Sequence, residues 1–184
     1  MDEIKMSRKV ISNMSNSSKA LRIARFFVLV LLPFLFLCSC GSEPVDVAYD
    51  ATRFIVEENG EKRPITEEEL IELIGEPEGV EEWNYEGLFS TYPMRSLSYH
   101  EGKYVYEFNG NHLMRIQIFS PVTFDKKDDI LARFGLKEYS NTSVTDTEWA
   151  YRVYNCGVHD LWCMEIDDGT IGMTYITYSN LFEQ

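Results

Sequence analysis

Tyr104-Val105-Tyr106-Glu107-Phe108-Asn109-Gly110-Asn111-His112-Leu113-Met114-Arg115-Ile116-Gln117-Ile118 is the stretch that decides the fold. Two alternating runs flank Asn109-Gly110-Asn111. Side chains two apart share a face, so Tyr104, Tyr106 and Phe108 line one strand and Met114, Ile116 and Ile118 the next. A two-residue Asn109-Gly110 turn sets Tyr106 opposite Leu113 and Tyr104 opposite Arg115, which splits the apolar face. A three-residue turn with a bulge pairs Tyr106 with Met114 and Tyr104 with Ile116 and keeps that face together, so this is the expected register.

Upstream, the alternating residues Trp83 and Tyr85, then Leu97 and Tyr99, predict further strands, the second ending at a turn His100-Glu101-Gly102. A helix precedes them. Thr66 stands three residues before Glu69, a capping box, with Ile65 and Leu70 at the staple positions around it. Leu70, Ile71, Leu73 and Ile74 form its apolar stripe, and Glu67, Glu68 and Glu69 suit the positive end of the helix dipole. Gly75 supplies a left-handed cap and Pro77 prevents continuation. A Glu58-Asn59-Gly60-Glu61 turn signal lies before the helix.

Downstream the pattern starts again. Asp125 can cap a second helix with Ile130, Leu131 and Phe134, closed by Gly135. A strand at Glu148-Trp149-Ala150-Tyr151 matches Glu82-Trp83-Asn84-Tyr85. A two-residue Asp168-Gly169 turn then pairs Ile166 with Ile171, Met164 with Met173 and Trp162 with Tyr175. The expected fold is α+β: two degenerate repeats, each a helix plus an antiparallel meander, sharing one sheet layer with the helices on one face. Units of about 60 residues are marginal alone, and pooling their sheets gives a sufficient core. The first unit is expected over 55–120 and the second over 121–184.

The first forty residues have a separate purpose. Six basic residues, Lys5 to Arg25, precede the twelve-residue apolar run Phe26 to Leu37, the n- and h-regions of a signal peptide. A membrane-spanning helix needs roughly 20 apolar residues, and this run also contains Pro33. Leu37-Cys38-Ser39-Cys40-Gly41 resembles the lipobox of bacterial lipoproteins, with Leu37 at −3 and Ser39 at −1 from Cys40. The resemblance implies cleavage after residue 39, a diacylglyceryl group on the Cys40 thiol, and a chain held to the cell membrane or outer membrane by that lipid. Residues 40–54, polar and without periodicity, are expected to be the tether.

After Cys40 come 11 basic and 28 acidic residues, a balance of −17. Nucleic acid is excluded as a partner, because phosphate contacts need Lys and Arg. His100, His112 and His159 form no spaced pair, so neither metal nor cofactor is expected. Asp125, Asp128 and Asp129 cluster where a helix N-terminus is expected, which explains acids there without invoking calcium. No nucleophile elbow or phosphate-binding glycine loop is present. Cys156 and Cys163 admit two readings. A register aligning Val153 with Trp162 keeps them apart, whereas a looser six-residue loop brings them together as a disulfide.

The helix closed by Gly75-Glu76-Pro77, the strand Trp83-Asn84-Tyr85 and the hairpin around Asn109-Gly110 together resemble the BLIP/BamE-like group. That group contains the β-lactamase inhibitory protein and small outer-membrane assembly lipoproteins. The likeness covers Ile65 to Phe119, and more faintly Phe124 to Tyr178. Arg63-Pro64-Ile65 departs from the Gly-Met or Gly-Leu pair that commonly precedes the helix cap in that group. The resemblance implies the fold and a protein-binding role, with no individual residue carried over. An exposed sheet face docking an envelope or extracellular protein is therefore expected, without catalysis. Trp83, Tyr85, Tyr92, Tyr99 and Tyr104 are the candidate anchors. The alternatives are an envelope hydrolase using paired carboxylates, or a ligand-sensing or structural surface lipoprotein.

Overall fold

A computed structural model describes residues 49–183. Its strands are β1 (Ile55–Glu58), β2 (Glu61–Pro64), β3 (Gly79–Glu86), β4 (Thr91–Tyr99), β5 (Tyr104–Asn109), β6 (His112–Ile118), β7 (Val122–Thr123), β8 (Ser143–Asp146), β9 (Ala150–Tyr154), β10 (Asp160–Asp167) and β11 (Thr170–Thr177). The α-helices are α1 (Glu67–Ile74) and α2 (Ile130–Arg133), and 3-10 turns cover Ala51–Phe54, Lys127–Asp129 and Asn180–Glu183. β1 and β2 form a separate hairpin across Asn59 and Gly60, both at positive φ, as the Asn-Gly pair requires. The other nine strands make one antiparallel sheet in the order β3-β4-β5-β6-β11-β10-β9-β8, with β7 added to β11. The class is α+β, dominated by antiparallel sheet.

Helix α1 forms as its sequence dictates. The Glu69 backbone N–H donates to Thr66 Oγ1 at 3.2 Å, and the Thr66 N–H donates to Glu69 Oε2 at 2.7 Å, closing the capping box. Ile65 and Leu70 are buried on either side of it, whereas Leu73 faces solvent. Gly75 caps the end at φ +91° and ψ −177°, an extended positive-φ state that only glycine reaches cheaply, rather than the left-handed helical state expected. Arg63 grips the Glu69 carboxylate with two N–H donors at 2.8 and 2.9 Å. That pair, helped by the Thr66 N–H, lowers the Glu69 pKa to about 2. A carboxyl lowered on folding stabilises the fold above its unfolded pKa, and this contribution disappears as pH falls towards the folded value. The thermal midpoint should therefore drop between pH ~4.5 and ~2, and Glu69→Gln should flatten that branch. Unfolding scans across this pH range check it.

The strand registers agree with the sequence in one hairpin and depart from it in two. Ile166 pairs with Ile171, Met164 with Met173 and Trp162 with Tyr175, as the Asp168-Gly169 turn requires. At the other glycine turn Asn109 pairs with His112, so the turn is Gly110-Asn111. A bulge at Met114 then lets Tyr106 face Ile116 and Tyr104 face Ile118. The bulge is real but lies within β6, outside the turn. It turns Leu113 inward with Ile116 and Ile118, and Met114 is only half-buried. In the third hairpin Val153 faces Leu161, not Trp162. That register keeps Leu161 and Cys163 in the core with Val153 and Tyr151.

The core joins one sheet face to both helices. Leu97, Tyr99, Tyr104, Tyr106, Phe108, Leu113, Ile116 and Ile118 from β4 to β6 form one cluster with Leu70, Ile130, Leu131 and Phe134. The second helical segment is shorter than expected and begins as a 3-10 turn after Lys126, so Asp125 does not cap it. Residues 49–54 correct the assignment of the tether. Ala51 and Phe54 are wholly buried, the Ala51 N–H donates to the Phe134 carbonyl at 2.9 Å, and Phe54 packs on Tyr106 at 5.7 Å. A single 3-10 turn is too short to show periodicity, so the sequence gives no sign that this segment is core. Cys40, the preceding residues and the start of the tether lie outside the described residues.

Candidate binding face

Alternation along the strands fixes the face turned away from the helices. On β3 and β4 it carries Trp83 opposite Met94 and Tyr85 opposite Tyr92. Further across, Glu107 pairs with Arg115, Arg115 with Thr177, and Thr177 with Asp160, one transverse row over four strands. The neighbouring row runs Gln117, Tyr175, Trp162, Arg152.

These rows mix buried polar groups with aromatic rings. Arg115 Nε donates to Glu107 at 2.7 Å, and Gln117 also donates to that carboxylate. Only 4 % of the Glu107 side chain is exposed, and burial raises its pKa against the opposing pull of Arg115. The Arg115 guanidinium lies 3.9 Å from the Phe182 ring centroid and 4.9 Å from that of Tyr175. Tyr175 meets Trp162 edge-on at 5.9 Å. Arg152 lies over Trp162 at 4.7 Å and Tyr154 at 4.5 Å, and its Nε donates to Asp160, which is 1 % exposed. At the other end Tyr85 touches Phe182 at 5.1 Å and Tyr92 at 6.3 Å. The result is a continuous ladder: Tyr92, Tyr85, Phe182, Arg115, Tyr175, Trp162, Arg152, Tyr154. Its rings and guanidiniums are all half-buried.

Of the five candidate anchors, Trp83, Tyr85 and Tyr92 stand on this face. Trp83 Nε1 donates to Ser96 Oγ at 2.8 Å, which fixes the indole. Tyr99 and Tyr104 do not belong here; at 3 % and 1 % exposure they are core. Their strands place them beside Tyr106, which Tyr99 meets edge-on at 5.5 Å. The residues missed are Arg115, Arg152, Trp162, Tyr175, Tyr154 and Phe182. The alternation of Trp162 and Met164 with Cys163 was a usable signal for Trp162, whereas nothing local marks Phe182.

The β3–β4 hairpin carries the same face outward to an apolar tip, where Leu88 is 79 % and Phe89 93 % exposed. At the opposite half, Trp149 stands 69 % exposed in the loop before β9, beside a cleft of about 720 Å³ that also includes Lys126, Glu148 and Asp167.

Cys156 and Cys163 are free and buried, and no disulfide joins them. Cys163 faces Tyr151, five residues along the chain from Cys156. Burial pushes the two thiols up to about 11 and about 12 respectively, which keeps both protonated at neutral pH. Among the described residues no group of three or more His, Cys, Asp or Glu is placed to hold a metal ion. His100, His112 and His159 all sit in or beside turns. No described helix is long and apolar enough to cross a membrane.

The two buried carboxylates of the sheet face, Glu107 and Asp160, stand three strands apart in one row. At ~4.8 Å per strand that is ~14 Å, wider than the ~5–9.5 Å over which paired carboxylates cleave a glycosidic bond. Each is also held by its own arginine. Comparison with protein-family models, characterised proteins and solved structures gives no match to this chain.

Proposed function

We propose that this chain is a non-catalytic, membrane-tethered binding or assembly module of BLIP/BamE-like design, docking an envelope or extracellular protein on its aromatic sheet face. The observation that carries the reading is the ladder from Tyr92 to Tyr154. Half-buried aromatic rings and arginines, held rigid by strand pairing and ion pairs, are the residue types that dominate protein interfaces. They lose little side-chain entropy on binding, because their neighbours already fix them. The spacing of ~14 Å that three strand steps set between Glu107 and Asp160 favours binding over a two-carboxylate hydrolase on this face.

The order of the sheet supports two degenerate units. Each half has a short helical segment closed by a positive-φ glycine, Gly75 or Gly135, followed by a four-strand meander, and the halves meet at β6 and β11. Gly110 and Gly169 fall at the same hairpin in each half. Trp83 and Trp149 do not correspond, since one lies in β3 and the other before β9. The lipid anchor on Cys40 rests on the lipobox alone.

Affinity capture by the tagged full chain from detergent-solubilised membranes tests the reading when repeated with Trp83→Ala and Trp162→Ala. An anchor at the centre of an interface contributes about 2 kcal/mol or more, so each variant should bind its partner roughly thirtyfold more weakly. A partner held equally well by folded variants would move the docking surface elsewhere.

A further inference from the structure

We propose that β3 is a dimerisation edge, along which two copies of this chain join antiparallel about a two-fold axis at Trp83. The inference stands apart from the docking of another protein. β3 ends the sheet, with β4 on one side and no described strand on the other. Antiparallel strands exchange hydrogen bonds at alternate pairs. Gly87 and Ser90 are such a pair, since the Gly87 N–H donates to the Ser90 carbonyl at 2.9 Å. Counting back from them, the odd-numbered residues of β3 bond to β4, and Val80, Glu82, Asn84 and Glu86 turn their N–H and C=O groups outward. Pro93, opposite Asn84, agrees with this phase. It has no N–H to offer β3, and its carbonyl accepts from Asn109 Nδ2 on β5 at 2.8 Å.

Open edges are commonly guarded by prolines, bulges, lysines or brevity. The opposite edge, β8, is only four residues long, whereas β3 holds register with β4 through all eight of its residues and has neither proline nor lysine. Its side chains lean inward onto β4. Trp83 Nε1 donates to Ser96 Oγ, Arg95 Nη1 to Glu82 Oε1 at 2.8 Å, and Thr91 Oγ1 to Glu86 Oε2 at 2.8 Å. The acids of β3 then select the register. Outward residues must face outward residues, so the two-fold axis passes through a residue. An axis at Glu81 or Glu82 sets that residue against its own copy, and one at Asn84 sets Glu82 against Glu86. Like charges directly opposite are destabilising. An axis at Trp83 joins residues 80–86 of each copy and sets Val80 against Glu86, Glu81 against Tyr85 and Glu82 against Asn84, so no acid meets an acid. Each outward residue exchanges both backbone bonds with the one opposite. The pairing closes at two copies and makes one continuous face of the two aromatic ladders.

Oxidative cross-linking of the full chain in isolated cell envelopes tests this, at high salt to screen repulsion between the acidic chains. The pair on the axis is not hydrogen-bonded, so its Cα atoms lie ~4.5 Å apart, within the span of a disulfide. Trp83→Cys should therefore yield a covalent dimer. Tyr85→Cys, whose own copy lies ~13 Å away, should yield at least about tenfold less. The parent chain, whose Cys156 and Cys163 are buried, gives the background. In the Trp83→Cys chain, Val80→Lys faces the second copy's Glu86 and should strengthen association roughly fivefold, and Val80→Glu should weaken it as much. If Trp83→Cys does not fold, Glu82→Cys co-produced with Asn84→Cys reads the same register from two exposed positions. A folded chain that gives no dimer above background, equal yields from Trp83→Cys and Tyr85→Cys, or indifference to charge at residue 80 overturns the proposal. Any of these leaves partner capture by the ladder face untouched.

Discussion

Arg115→Met is expected to lower the unfolding free energy by about 3–5 kcal/mol, because it leaves the Glu107 carboxylate buried without its counter-charge. Only 4 % of the Glu107 side chain and 18 % of that of Arg115 are exposed, so water cannot replace the lost partner cheaply. Two controls separate this from lost packing. Glu107→Gln combined with Arg115→Met should recover most of the loss, since no buried charge remains. The loss should also shrink in acid. Burial already raises the Glu107 pKa in the folded chain, and removing Arg115 raises it further. A carboxyl raised on folding destabilises the fold above its folded pKa, and the penalty fades as pH falls towards the unfolded value of ~4.3. Urea unfolding of the single and double variants at neutral and acidic pH measures both effects. A single variant within 1 kcal/mol of the parent would mean that the pair is effectively solvated.

Phe54→Ala is the second large effect, about 3–5 kcal/mol by the usual cost of truncating a fully buried phenylalanine. Phe54 is 0 % exposed and packs on Tyr106, itself 0 % exposed, at the centre of the cluster. The Ala51 N–H bonds the Phe134 carbonyl, and Tyr178 Oη donates to the Ala51 carbonyl at 2.9 Å. This one turn thus connects to both halves of the sheet. Chemical denaturation of the variant checks it, and a cost under 1 kcal/mol would return residues 51–54 to the tether.

What the sequence revealed, and what it hid, follows from the range of each interaction. Capping at Thr66 and Glu69, the alternation of Tyr104, Tyr106 and Phe108, and the Asp168-Gly169 register depend on neighbours within a few residues. All three were legible. The hairpin at Gly110 was misplaced because the bulge sits at Met114, where only burial of both Leu113 and Ile116 explains it. Tyr99 and Tyr104 stood among the candidate anchors because aromatic strands have no local mark of which face is covered; their burial in the core cluster with Leu70 and Phe54 decides that. The ladder itself could not be read. It joins β3, β4, β6, β9, β10, β11 and a C-terminal turn, and Phe182 lies 97 residues from the Tyr85 hydroxyl that holds it.

The central claim is that the ladder face meets a protein partner, and site-specific photo-cross-linking in living cells tests it most directly. A photoreactive phenylalanine analogue would replace Trp162 or Tyr175 on the sheet face, and Leu73 on the solvent side of α1 as comparison. The account predicts one and the same protein adduct from the two sheet positions and none from Leu73. Adducts at Leu73 without any at Trp162 and Tyr175 would contradict it.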